Sequence, residues 1–156
     1  MKSSGNPRRA IDARFACFRL QVGASQIHKT GVFATESIPR GCKVIEYTGE
    51  RVTAREANAR LATICGPGGS MRICIFHLDR DRCLDGAVGG SGAELINHSC
   101  DPNLFSRRVQ GHILYFSRRR IHVGEELTVD YHFRRNAVAV PCNCGSPKCG
   151  GTINRK

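Results

Sequence analysis

Residues 97–103 read Asn97-His98-Ser99-Cys100-Asp101-Pro102-Asn103, with an apolar Ile96 leading in. Proline fixes φ and has no N–H to donate, and its Asp and Asn neighbours favour turns, so a strand entering this stretch ends inside it. Taken alone, an Asn-His pair at a turn reads as a polar cap. Its weight comes from what lies downstream. Cys142-x-Cys144-x4-Cys149 falls in a segment with little apolar periodicity and, beyond Asp130, no acidic residue. Such a segment cannot order itself by burial, and metal ligation is the usual remedy. Structural zinc takes four tetrahedral thiolate or imidazole ligands. Three lie together here, so the fourth comes from elsewhere: Cys100 is one candidate, His98 or a nearby histidine another.

Outward from that stretch, short strands dominate. Asn103–Val109 and His112–Ser117 read as a hairpin about Gln110-Gly111, and Gly124-Glu125 as a turn before a strand over Leu127–Tyr131. Upstream, Gly86–Gly92 is a glycine-rich loop. No Gly-Lys-Ser/Thr follows it and no amphipathic helix opens from it, so it reads as a surface loop, not a phosphate cradle. Arg72–Leu78 and Cys83–Asp85 read as strands about a charged turn, Asp79-Arg80-Asp81. Val32–Ala34 and Val44–Tyr47 are strands separated by the turn Ile38-Pro39-Arg40-Gly41, and Phe15–Val22 alternates loosely. One helix stands out: Thr53-Ala54-Arg55-Glu56 is a capping box that opens a helix to about Ile64, with Ala54, Ala57 and Leu61 on one face and Gly66-Pro67-Gly68-Gly69 as the stop. Many short strands with one helix give a mostly β (α+β) fold. A doubly wound dinucleotide-binding sheet would need strand–helix alternation, which is missing.

Hydrophobic residues make up 40% and charged residues 24% of the 156, a globular balance and not that of a disordered chain. No apolar run approaches the roughly 20 residues that span a bilayer, and the first residues lack the apolar stretch of a secretory signal. Twenty-four Lys+Arg against 13 Asp+Glu give a net charge of +11. That favours polyanionic partners such as nucleic acid, or it is simply a solvated basic surface. Nine cysteines, an odd count without an export signal, point to reduced thiols or a metal site in a reducing, intracellular compartment. Cys17, Cys42, Cys65, Cys74 and Cys83 stand alone and read as small apolar core residues.

Taken in order, Gly31-Val32-Phe33-Ala34, Ile38-Pro39-Arg40-Gly41, Glu46-Tyr47-Thr48-Gly49-Glu50, the 97–103 stretch, Gly124-Glu125-Glu126-Leu127-x-x-Asp130-Tyr131 and the C-terminal cysteines resemble the SET-domain family of protein-lysine methyltransferases. The cysteines resemble that family's post-SET zinc motif, and no pre-SET cluster precedes the core. The resemblance covers roughly residues 14 to 153. It implies a SET fold of small curved β-sheets with a knot-like threaded segment and a zinc-bound C-terminal post-SET motif. The implied divisions are a disordered tail over 1–13, a SET domain over 14–134 and a post-SET zinc segment over 135–156.

The resemblance also implies S-adenosylmethionine as methyl donor, contacted through Lys29, Thr30, Gly31, Val32, Asn97, His98 and Asn143. Tyr131 matches the family's catalytic tyrosine. Tyr47, Cys74, Val129 and Phe133 correspond to the channel that receives the substrate lysine, on a histone or another basic protein tail. One structural zinc would be held by Cys100, Cys142, Cys144 and Cys149. There are departures. Lys29 stands at a glycine position, Ser91 and Glu94 replace an Asn and an Arg, Cys74 replaces a cofactor-side tyrosine, and Val129 replaces an aromatic that limits methyl number. The last two remove ring volume, which implies a wider lysine pocket and higher methylation states.

A competing class is a non-catalytic, zinc-stabilised module that binds chromatin or nucleic acid, which strongly salt-dependent DNA affinity without methyl transfer would reveal. The charge bears on both classes. A basic tail gains no global steering from a +11 chain. Either the groove is locally acidic, through Asp79, Asp81, Asp85 or Glu94, or the basic surface contacts DNA or a nucleosome while the tail enters the channel.

Overall fold

The computed structural model describes residues 9–64, 73–133, 135 and 139–154. In chain order its elements are β1 (Leu20–Ala24), β2 (Thr30–Ala34), β3 (Lys43–Tyr47), β4 (Glu50–Thr53), α1 (Ala54–Ile64) and β5 (Ile75–His77). They continue with β6 (Arg82–Asp85), a 3-10 turn over Ala93–Leu95, β7 (Asn97–His98), β8 (Leu104–Val109), β9 (His112–Ser117) and β10 (Thr128–Val129). The strands form four small sheets: β1-β2, β3-β9-β8, β4-β6-β5 and the parallel pair β10-β7. The mostly β reading therefore holds.

Alternation sets the faces. Along β8 and β9, Leu104, Ile113 and Tyr115 turn inward, while Phe105, Arg107 and Phe116 take the outer face. The inward residues join Val32, Ile38, Val44, Ile45, Leu95, Ile96, Ile121 and Leu127 in the main core. Burying each large aliphatic side chain contributes roughly 1.5–3 kcal/mol. A second, smaller cluster of Val52, Ala57 and Cys83 sits under α1. The β8–β9 turn is the one expected: Gln110 (φ 50) and Gly111 (φ 80) are both left-handed, the geometry of a two-residue type I′ hairpin.

At the start of α1 the Thr53 hydroxyl accepts the Glu56 N–H at 3.2 Å, one half of the capping box. The Glu56 carboxylate instead pairs with Arg60 one turn on, at 2.5 Å. Arg60 also reaches Glu50 of β4 at 2.8 Å and the buried Asp85 of β6 at 2.7 Å, so one guanidinium ties helix to sheet.

Several expectations are corrected. Residues 10–12 do not behave as a tail: Ile11 packs on the main core and the Asp12 N–H donates to the Ser91 carbonyl at 2.8 Å. The loose alternation over Phe15–Val22 is two pairings. Phe15 and Cys17 bond to β3 through Glu46 and Val44, and the strand proper, β1, starts at Leu20. β4 went unread because Glu50–Thr53 has only one buried residue, Val52. β10 is two residues long, and Tyr131 lies beyond it. Cys42 is half-buried and Cys74 and Cys83 are buried as expected, but Cys17 is exposed. Cys65, Arg72 and the Gly66–Gly69 stop lie outside the described residues.

Candidate active site

Two segments distant in sequence meet where β7 and β10 run in parallel, Asn97 opposite Thr128 and His98 opposite Val129. Both Asn97 and His98 are buried there. The Asn97 amide Nδ2 bonds to the Thr30 carbonyl and Glu126 Oε1, each at 2.9 Å, and to Ser25 Oγ at 3.2 Å. The Ser25 hydroxyl in turn donates to the Glu126 carboxylate at 2.8 Å. Gly31 makes room for this knot: a Cβ there would lie 2.2 Å from Glu126 Oε1 and 3.1 Å from Asn97 Nδ2.

Tyr131 closes onto His98 and the residue before Asn97. Its N–H donates to His98 Nδ1 at 3.1 Å, its hydroxyl donates to the Ile96 carbonyl at 2.8 Å, and its ring meets the imidazole edge-on at 5.4 Å. Burial pushes the His98 pKa down, against a smaller opposing pull from Asp130, so the ring stays neutral and its Nδ1 can accept.

These groups line a cavity of about 300 Å³. Its lining combines apolar Ile27, Ile73, Val140 and Ile153 with polar His28, Glu94, Asn97, His98 and Asn143 and the rings of Tyr131 and Phe133. Asn97, His98, Asn143, Tyr131 and Phe133 thus line one cavity, although the resemblance assigned Phe133 to the lysine channel and Asn97, His98 and Asn143 to the methyl donor. Lys29–Val32 do not line it. The Thr30 carbonyl is taken by Asn97, and Val32 is buried with its carbonyl accepting the Leu127 N–H at 2.7 Å, so Ile27 and His28 supply that wall instead. Lys29 itself sits in the left-handed region (φ 39).

The four expected channel residues do not share one wall either. Tyr47 donates to the Cys74 carbonyl, and its ring packs at 5.4 Å from Phe76 and 6.1 Å from Tyr115. Burial drives the Tyr47 and Tyr115 hydroxyls well above their usual range, so both remain neutral. Val129 borders a different cavity, described below. Sequence reasoning missed Phe76 and Tyr115, as well as Ser25 and Glu126. Glu126 lay inside a quoted motif and could have been questioned as a charge next to a core leucine; Ser25 carried no signal. Of the carboxylates considered for an acidic groove, Asp79 pairs with Arg82 and Asp85 with Arg60, while Glu94 lines the cavity.

The cysteine question is answered by geometry. The sulfurs of Cys100, Cys142, Cys144 and Cys149 all lie within 4.8 Å of one another. A zinc–sulfur bond of about 2.3 Å gives a tetrahedral edge of about 3.8 Å, and Cys100 Sγ to Cys142 Sγ is 3.8 Å. His98, the other candidate, sits beside the cluster with Nε2 at 3.6 Å from Cys100 Sγ and faces Tyr131 instead. Burial raises the Cys144 thiol, but hydrogen bonds from the Cys100 and Ser146 backbone and from the Cys142 and Cys149 thiols outweigh it and bring it to about 6. The donor set fits a structural zinc. The cluster also places Val140, Pro141, Cys142 and Asn143 on the cavity, so the tail forms part of its wall.

Comparison with known proteins places the chain in a family. A rice (Oryza sativa subsp. japonica) protein named histone-lysine N-methyltransferase TRX1 is 41% identical over 140 residues, 87% of this chain and 14% of its own length. A Schizosaccharomyces pombe histone-lysine N-methyltransferase, H3 lysine-4 specific, is 42% identical over 142 residues, 87% of this chain and 15% of its own. Human SETD1B, named a histone-lysine N-methyltransferase, is 37% identical over 146 residues, 90% of this chain and 7% of its own. The chain therefore corresponds to a small part of each of these relatives. Residues 29–132 match the SET-domain profile, a span that runs from the loop before β2 through Tyr131. The chain belongs to the SET-domain family.

Proposed function

We propose that the chain is the catalytic domain of an S-adenosylmethionine-dependent protein-lysine N-methyltransferase, with a histone or similar basic tail as substrate. The observation that carries this reading is Tyr131, held by His98 and the Ile96 carbonyl on the wall of a cavity that Asn97 and the cysteine-clustered tail also line. Family membership supports it, as do relatives whose names describe histone-lysine methylation.

The cavity suits the methyl donor in composition: Ile27, Ile73, Val140 and Ile153 offer apolar surface for an adenine, and Asn97, Asn143 and His28 polar groups for the amino-acid end. When bound, that group supplies an electrophilic methyl on a sulfonium whose charge also favours an uncharged amine nearby. The chain's own residues do the rest. A lysine has a pKa of about 10.4 and must shed a proton before its nitrogen can attack. Apolar surroundings such as Phe133 lower that pKa by disfavouring the ammonium. The Tyr131 hydroxyl, committed as donor to the Ile96 carbonyl, keeps lone pairs that can accept an amine N–H and hold its nitrogen in line. It works by positioning, and no strong base is required.

Transfer of a radiolabelled methyl group to histones tests the reading directly. Tyr131→Phe is expected to lower the rate about 100-fold or more while costing only about 1 kcal/mol of stability, the value of one hydrogen bond. Absence of transfer by the wild-type, zinc-loaded protein on histones and on a lysine peptide array would instead identify a non-catalytic binding module.

A further inference from the structure

The outer face of the β3-β9-β8 sheet carries a feature the methyl-transfer site does not use. Phe105 and Phe116 are direct cross-strand neighbours, their rings stacked at 5.7 Å and 24°. The Arg107 guanidinium lies over both, 5.3 and 5.5 Å from the two centroids. Lys43 is the partner of Phe116 on the other side, in β3. From Phe105 the face runs into an open cavity of about 540 Å³, where Arg40 and Arg118 share the wall with it. Asp130 is the one carboxylate on that cavity, and it faces His132 at 3.5 Å. Among the described residues, Arg40, Lys43, Arg107 and Arg118 form no ion pair, whereas Arg14, Arg19, Arg60, Arg82 and Arg119 each hold a carboxylate.

We propose that this face docks the sugar-phosphate backbone of duplex DNA. The sheet face also carries one carboxylate, Glu46, in the cross-strand row of Arg107 and bonded to His112 at 2.5 Å, so the four unpaired cations outnumber it, repel one another and attract a polyanion. Cation–π contact with the two rings restrains the Arg107 guanidinium and limits the entropy lost when it meets a phosphate, which it can bind bidentately. The rings also decide between double and single strands. Single-strand binders offer open aromatic faces on which bases stack. Here the two rings stack on each other with Arg107 over both, so the face presents charge ahead of ring surface, and Phe105 alone reaches the open cavity. The inference is independent of the methyl-transfer reading and stands or falls without it.

Fluorescence anisotropy of the full chain with a labelled random-sequence duplex, across about 50–200 mM salt, tests it. Four phosphate contacts predict a slope of log K against log salt of about −3.6. Arg107→Gln/Arg118→Gln is expected to flatten the slope by about 1.8, and the charge-matched Arg55→Gln/Arg80→Gln, on α1 and the β5–β6 turn, to leave it unchanged. Arg40→Gln/Arg118→Gln keeps the ring-stacked arginine in place and should flatten the slope equally, which separates lost contacts from lost fold. Equal flattening by the control pair would show diffuse charge binding and overturn the proposal. So would tighter binding to the single strand, or displacement of the duplex by polyglutamate at equal charge.

Discussion

A methyl group at position 31 would lie 2.2 Å from Glu126 Oε1, and that oxygen is already held by Ser25 and Asn97. The carboxylate could swing away only by giving up those bonds, leaving the Asn97 amide short of a partner in a buried setting. Gly31→Ala is therefore expected to cost about 1–3 kcal/mol in urea unfolding. It should also weaken binding of S-adenosylhomocysteine, read by calorimetry, because Asn97 lines the cavity. A change confined to stability would separate a packing role from a positioning one. Positions 74 and 129 lack rings, but neither residue lines the cavity that holds Tyr131: Val129 is buried in the main core and borders the other cavity, and Cys74 is buried with its carbonyl accepting the Tyr47 hydroxyl. The wider lysine pocket that the resemblance implies therefore does not follow from the loss of those two rings.

At the level of elements, α1 has one buried residue, Ala57, and little apolar surface to hold it. Its anchor is Arg60, shared among Glu50, Glu56 and Asp85, of which Asp85 has a side chain only 6% exposed. Removing the guanidinium strands that carboxylate, so Arg60→Met is expected to lower the thermal midpoint by about 5 °C or more, followed by circular dichroism. Elements with strong local signals were readable. The Gln110-Gly111 hairpin and the Thr53-capped helix appear where turn chemistry and periodicity place them. β4 and β7 were not readable, because four residues with one buried, and two residues alone, carry no period. The same limit applied at the site. The cysteine spacing showed that a fourth ligand existed and the motifs suggested Cys100. The Ser25–Glu126–Asn97 knot depends on a β1–β2 register that only tertiary packing sets.

On the scale of the whole molecule, the thiol cluster joins the segment over 139–154 to Cys100 beside the site. Besides that cluster the segment has the Lys148–Asp101 pair at 3.1 Å, which is exposed, and a bridge from Phe133 to Asn154. Zinc, if it occupies the cluster, holds the wall that carries Val140, Pro141 and Asn143. Chelation is expected to release about one zinc per chain, measured with a colorimetric indicator, and to abolish S-adenosylhomocysteine binding while leaving most of the β signal in circular dichroism. Cys100→Ser should do the same without a chelator. The parallel β7–β10 pair has a consequence for biosynthesis. Asn97 and His98 have no strand to lie against until Thr128 and Val129 have been made, and His98 gains its Tyr131 bond only after that. A nascent chain stopped at Leu127 would therefore carry the whole 97–103 motif without the strand that orders it, with the apolar edge around Ile96 open to other chains.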